Sequence, residues 1–271
     1  MFCGGPGPMT KEHAWPQWLG RAAEVEPLQH SLTSGFSRTA DDALSELPNQ
    51  AVHKQGSVLT SRIREVCAAC NNGWMSRLEV RVRPLLERLW APAYPLGSSW
   101  FNTSELTLLS SWATKTAWVR ERVADRTNTA DSDVRQAFAQ SLLPPELTAV
   151  WVARHQGDYD FAAFHTSIEV THRDQDWSTG ERRSVRLCSL VFHGLVFLVR
   201  TDSGTGVPAF ALPEESWLQL WPHRHPMPWP PSRTVTDDES YLVTKALQNW
   251  LTLPATAQFH RSGDWQHRSQ N

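Results

Sequence analysis

Residues 65–79 read EVCAACNNGWMSRLE, and this stretch decides how the first part of the chain folds. The residues before it, SVLTSRIREV (57–66), place apolar side chains at alternating positions, as a half-buried strand does. The strand reading ends at Cys67, which opens a C-x-x-C with Cys70. From Asn71 the period changes. Trp74, Leu78, Val82, Leu85 and Leu89 recur at spacings of three and four, which predicts a helix. Asn71 or Asn72 can cap it. Pro84 is expected to kink the helix or to start a second segment.

The chain has four cysteines, Cys3, Cys67, Cys70 and Cys188, and no apolar leader near its start. The expected location is cytoplasmic. Disulfides are rare there, so the Cys67/Cys70 pair reads as metal-binding or redox. Cys188 lies in the apolar run LCSLVF and reads as a small buried hydrophobe.

Upstream lies Lys11-Glu12-His13-Ala14-Trp15-Pro16. Pro16 biases the residue before it toward extended geometry, so Glu12 and His13 fall on a short strand or just past its end. An acidic-His strand, a second strand and a cysteine knuckle opening a helix together describe a ββα-metal element on a treble-clef zinc scaffold. Zinc holds a hairpin against a helix where the apolar core is too small to do so. The strand histidine then faces the helix start. A hard cation there, between a carboxylate and an amide or imidazole, stabilises charge on a phosphate while the histidine deprotonates water.

On these residues the chain resembles the HNH endonucleases. Lys11-Glu12-His13-Ala14-Trp15-Pro16 stands in the place of that family's (D/E)-H-x-x-P strand, and Cys67-Ala68-Ala69-Cys70-Asn71 in the place of its C-x-x-C-(H/N) helix start. The resemblance covers roughly residues 1–90. It implies His13 as general base, Glu12 and Asn71 as ligands of a catalytic Mg²⁺ or Mn²⁺, and Cys3, Cys67 and Cys70 as ligands of a structural Zn²⁺. Two departures stand out. The family's zinc site has two C-x-x-C pairs, and the partner of Cys3 would fall just before Met1, which leaves the fourth ligand open. The place of the family's middle asparagine, about nine residues before the helix-start ligand, holds Arg62, and Asn49 is a remote substitute.

The remaining 180 or so residues are less informative. Residues 21–56 are polar and patternless, and APAYPLGSSWFN (91–102) reads as a linker. Beyond it come a helix capped by Thr103 or Ser104, with Leu106, Leu109, Trp112 or Ala113, and Ala117 on its buried stripe, and a helix from about Asp133 to Leu143. Strands follow at 149–154, 161–170 and 185–200, the last being two strands meeting near His193-Gly194. Pro213 opens a short helix, and Asp237 or Asp238 caps a last one running to Leu251. The proline-rich WPHRHPMPWPPS (221–232) can be neither a helix nor a central strand. The expected fold class is α+β: an HNH-like zinc domain at 1–95, then a mixed helix and antiparallel-sheet domain at 103–271 that selects a target or senses a protein partner.

A formal charge of −2 excludes a basic protein that coats nucleic acid over its whole surface. Residues 60–90 nevertheless carry six arginines against three glutamates. Arg62, Arg64, Arg77 and Arg81 are the candidate phosphate contacts, although a solvated helix face explains such charges almost as well. Glu79, two turns beyond Asn71, reads as a surface carboxylate beside Arg83. No apolar stretch approaches the roughly 20 residues of a membrane span. The expected function is metal-dependent hydrolysis of a phosphodiester, with DNA as the substrate the resemblance implies. The competing expectations are a non-catalytic treble-clef module that binds nucleic acid or protein, and a thiol redox protein.

Overall fold

The run Leu187–Val199 is apolar at almost every position because the hairpin it forms is covered on both faces. A computed structural model describes residues 1–5, 7–22, 31–33, 36–38, 44–46, 59, 61–91, 99–124, 131–172, 182–205, 211–223, 226–244 and 265–269. The first elements are β1 (Met9–His13), α1 (Gln17–Ala22), the short β2 (Ser31–Thr33), β3 (Phe36–Arg38) and β4 (Leu44–Glu46), then β5 (Arg62–Cys67). The chain continues through α2 (Ala68–Cys70), a wider π-type turn over Asn71–Met75, and α3 (Ser76–Trp90). Next come β6 (Ser99–Phe101), α4 (Thr103–Ala124), α5 (Ser132–Ser141), β7 (Thr148–Arg154), β8 (Phe161–His172), β9 (Arg182–Phe192) and β10 (Leu195–Asp202). The last are β11 (Leu218–Trp221), β12 (Met227–Trp229), α6 (Asp237–Thr244) and β13 (Trp265–Ser269). Helices beside antiparallel sheets make this an α+β protein.

Among the described residues, seven strands form the main sheet, in the order β11-β7-β10-β9-β8-β13, with β2 added in parallel beside β8. The β9–β10 hairpin pairs Phe192 with Leu195 across His193 and Gly194, both at positive φ (48° and 68°). That is the geometry a two-residue hairpin turn demands, and glycine takes it without a steric cost. One face of the hairpin presents Cys188, Leu190, Phe192, Leu195, Phe197 and Val199 to α3 and α4. The other presents Val185, Leu187, Val191, Val196 and Leu198 to Trp217, Val235 and the side of α6. Among the described residues β12 pairs only with β6, so its proline lies in a two-stranded ribbon apart from the main sheet, as a strand proline should.

Helix α4 is buried on all sides between Leu106 and Glu121, apart from partly exposed Thr107 and Leu108 near its start. One side packs on the sheet through Trp112, which meets Phe192 and Phe197 edge-on. Another side carries Trp118 and Val119 into a separate cluster with Phe2, Ile63, Val66, Cys67, Cys70, Met75 and Phe138. The expected stripe of Leu106, Leu109, Trp112, Ala113 and Ala117 is buried, but it is only part of the covered surface. Helix α3 and strand β5 pack on the rest of the helix, and one apolar cluster runs from Trp15 and Leu19 through α3 and α4 to the sheet.

Local details differ from the sequence reading. The α4 cap is Asn102, one residue earlier than expected. Its Oδ1 accepts from the Glu105 amide (3.1 Å), while Glu105 Oε2 accepts from the Asn102 amide (2.9 Å). Thr236, not an aspartate, plays the same part for α6 with Glu239. The helix at Pro213 is a single turn closed by Ser216 and Trp217 amides on the Pro213 carbonyl. Pro84 does not break α3. It sits on an exposed face, and the interruption falls instead at Gly73 (φ −94°, ψ −110°). Asn49, His225, Trp250 and most of the 21–56 and 91–102 stretches lie outside the described residues.

Freed from capping, Asp237 anchors α6 to the sheet. Its Oδ1 lies 2.8 Å from Nε2 of buried His155, and its Oδ2 accepts from the Asp158 amide at 2.7 Å. Burial holds the His155 imidazole below its usual 6.5, outweighing the pull of Asp237. Below pH 6.5 the unfolded chain therefore takes up a proton at this position that the folded chain resists, and stability falls as pH drops. The expected result is a melting temperature that declines from pH 7 to 5, with a shallower decline in His155→Gln. Parallel melting curves for the two proteins across that range would remove this role for His155.

Candidate active site and metal centre

The strand β1 lies antiparallel to β5, with Thr10 opposite Val66, Glu12 opposite Ile63 and His13 opposite Arg62. An extra residue of β5 falls between the first two pairs. Such a bulge re-aims the side chains beyond it. Glu12 is buried, and its neighbour His13 is half exposed.

Immediately after β5, the chain turns into α2 with Cys67 in extended geometry (φ −72°, ψ 156°) at its N-cap. The Cys67 and Cys70 side chains therefore project from either end of one short turn. Cys3 approaches from the chain start, and its Sγ is 3.3 Å from Cys67 Sγ. All three sulfurs lie within 4.8 Å of one another, and none is in a disulfide. Thiolates around one tetrahedral zinc would stand about 3.8 Å apart, from bonds of roughly 2.3 Å. The three thiols are thus close enough to hold a metal ion. The Cys70 amide hydrogen-bonds Cys67 and lowers its thiol below the usual range, whereas burial pushes Cys70 up. Backbone N–H groups at a helix start favour thiolate in this way.

Asn71 follows, inside the helical segment rather than capping it, so its amide is available elsewhere. Nδ2 donates to Thr10 Oγ1 on β1 (2.9 Å), and Thr10 Oγ1 donates in turn to the Val66 carbonyl (2.9 Å). This chain of bonds ties the helix start to both strands and leaves the Asn71 amide oxygen without a hydrogen bond among the described residues.

Glu12, His13 and Asn71 line one cleft of about 260 Å³, together with Lys11, Gln17, Trp18 and Glu79. The Gln17 side-chain Nε2, four residues on, lies 2.9 Å from His13 Nε2. Burial, then the Arg62 charge across the strand pair, lowers the His13 imidazole below its usual value. Burial raises Glu12, against the opposing charge of Lys115.

No protein-family model, curated protein or solved structure matches this chain. The chemistry of the cleft is therefore read from its own residues.

Lys115 and Gln17 are the site residues that sequence reading missed. Lys115 comes from the middle of α4, with its side chain 0 % exposed and Nζ bonded to Glu79 Oε1 at 2.7 Å. Glu79 is accordingly not the surface partner of Arg83, which pairs with Glu87 instead (2.7 Å). Burial opposes the Lys115 charge, but Glu79 and Glu12 together carry its ammonium above the usual value. A signal existed: a lone lysine in the run WATKTAWV cannot stay buried without a carboxylate. Gln17 stands four residues after His13, where a helix-start side chain can reach back.

Arg62, Arg64, Arg77 and Arg81 are all exposed, and none is in an ion pair among the described residues. The Arg83 guanidinium lies 5.3 Å from the Trp18 ring centre, beside the cleft. Trp217 and Trp229 are buried, and Trp229 Nε1 donates to the Leu89 carbonyl (2.9 Å), so both pack the core rather than offer a binding face.

Proposed function

We propose that the protein is a metal-dependent endonuclease of the HNH type that hydrolyses a phosphodiester bond in DNA. The observation that carries this reading is the meeting of Glu12, His13 and Asn71 in one cleft, although 58 residues separate His13 from Asn71. The donor set fits a hard divalent cation. Carboxylate and amide oxygens of Glu12 and Asn71 suit Mg²⁺ or Mn²⁺, and a thiol-rich cluster suits Zn²⁺. When bound, the divalent cation stabilises negative charge on the phosphate and on the leaving oxygen.

The chain's own residues supply the rest. His13 takes the proton from the attacking water on its imidazole, which Gln17 contacts at Nε2. Lowered basicity keeps the imidazole neutral, and thus able to accept that proton, at pH 7. Lys11 at the cleft, Arg62 opposite His13 and the exposed Arg64, Arg77 and Arg81 attract the phosphate backbone without reading sequence. Zinc on Cys3, Cys67 and Cys70 fixes the strand pair against the helix that bears Asn71.

A second reading is a treble-clef module that binds nucleic acid or protein without cutting. It is favoured by Arg62, which faces His13 across the strands where the family has an asparagine. Nicking of supercoiled plasmid by the zinc-loaded protein separates the two. Cleavage that appears with Mg²⁺ or Mn²⁺ and stops with EDTA is expected. Retarded but intact plasmid, over single- and double-stranded substrates alike, would leave the binding module.

A further inference from the structure

The ammonium that pairs with two carboxylates of the cleft does not come from the motif. Lys115 reaches them from α4, about a hundred residues along from Glu12, with Nζ 2.7 Å from Glu79 Oε1 and 3.4 Å from Glu12 Oε1. Its side chain is fully buried, and Glu12 nearly so. Two carboxylates facing one small cleft repel each other, and a buried ammonium is retained only where anions surround it. Each carboxylate uses Oε1 on the ammonium, and no hydrogen bond among the described residues engages either Oε2. Both residues line the cleft.

We propose that Lys115 is a positioning residue that clamps Glu12 and Glu79 into one cation-binding pair, making Glu79 a further ligand and α4 a component of the site. This rests on reading the cleft as a divalent-cation site. The charge count gives the clamp a distinct signature. Glu12, Glu79 and Lys115 sum to −1, and a divalent cation brings the site to +1. Without the lysine the same groups run from −2 to neutral. The ammonium therefore repels the incoming cation while it holds the ligands still. Removing it strengthens cation binding and loosens the geometry that the reaction needs. A residue that merely supported the fold would not move these two quantities in opposite directions.

The test is Mn²⁺ binding to the zinc-loaded full-length chain, followed by calorimetry, with nicking measured at saturating Mn²⁺. Lys115→Met is expected to bind Mn²⁺ about tenfold tighter or more, and to nick at least about tenfold more slowly. Glu79→Gln, whose amide oxygen can still accept from Lys115, is expected to bind Mn²⁺ about tenfold more weakly. Unchanged or weaker Mn²⁺ binding in Lys115→Met overturns the proposal, as does unchanged binding in Glu79→Gln. If Lys115→Met does not fold, the Glu79→Gln titration decides alone. The wild type separates this inference from the nuclease reading. Mn²⁺ binding with the expected variant pattern but no nicking removes the nuclease and keeps the clamp. Nicking with cation affinity indifferent to both substitutions does the reverse.

Discussion

His13→Ala is expected to lower Mg²⁺-supported nicking about 10²- to 10⁴-fold, the range a positioned general base contributes. His13 is partly exposed, and among the described residues its side chain hydrogen-bonds Gln17 alone. Its removal empties part of the cleft without breaking a core contact, so the melting temperature and the zinc content should match wild type. The loss should be in turnover, because the proposed phosphate contacts, Arg62, Arg64, Arg77 and Arg81, are left in place. His13→Gln should behave like His13→Ala, since an amide cannot accept the proton from water. Rates within threefold or so of wild type in both variants, with the divalent cation still required, would show that another group is the base and the assignment of His13 would fall.

Loss of the sulfur cluster should have the largest effect on stability. Wild type is expected to carry about one zinc per chain. Cys67→Ser and Cys70→Ser should each release it, costing about 3–5 kcal/mol and lowering the melting temperature by about 10 °C. The cost is well below the total that zinc supplies to an isolated finger, because this knuckle has an apolar cluster of its own. Phe2, Ile63, Val66, Met75, Trp118, Val119 and Phe138 close around the cysteines. Phe2 stands edge-on to Trp74 at 5.1 Å, so the chain start is held by packing as well as by Cys3. Removal of the ion should leave the main sheet folded and loosen β1, β5 and the helix start. Metal analysis and calorimetry with and without a chelator measure both parts. A protein purified without metal, whose melting ignores chelator and serine substitution alike, would return the cysteines to packing or redox chemistry.

Much of the site was readable because its parts are local. Alternation before Cys67 and helical period after Asn71 mark a strand-to-helix junction, and a C-x-x-C at such a junction projects both thiols from one turn. The hairpin at His193-Gly194 was readable for the same reason, since one glycine and two apolar runs suffice. What escaped is what depends on partners far along the chain. Asn71 is a good cap by type, yet Thr10 on β1 competes for its amide and wins. Glu79 lies four residues before Arg83, an ordinary surface pair, but Lys115 offers it a buried ammonium with no water to compete. Periodicity gave α4 one apolar stripe. It is enclosed because α3 and β5 lie against its far face, and Thr107, Ser110 and Ser111 hide their polarity by donating to carbonyls of the preceding turn, Ser110 to Leu106 at 2.8 Å.

The all-round enclosure of α4 bears on any attempt to transplant this chemistry. A cassette cut after Trp90 would carry Glu12 and Glu79 away from Lys115 and strip the cover from Met75 and Ile63, so the excised piece would meet solvent with two mutually repelling anions and a bare oily flank. Grafts onto a foreign carrier would have to bring the long central rod along, or supply a substitute cation from the host.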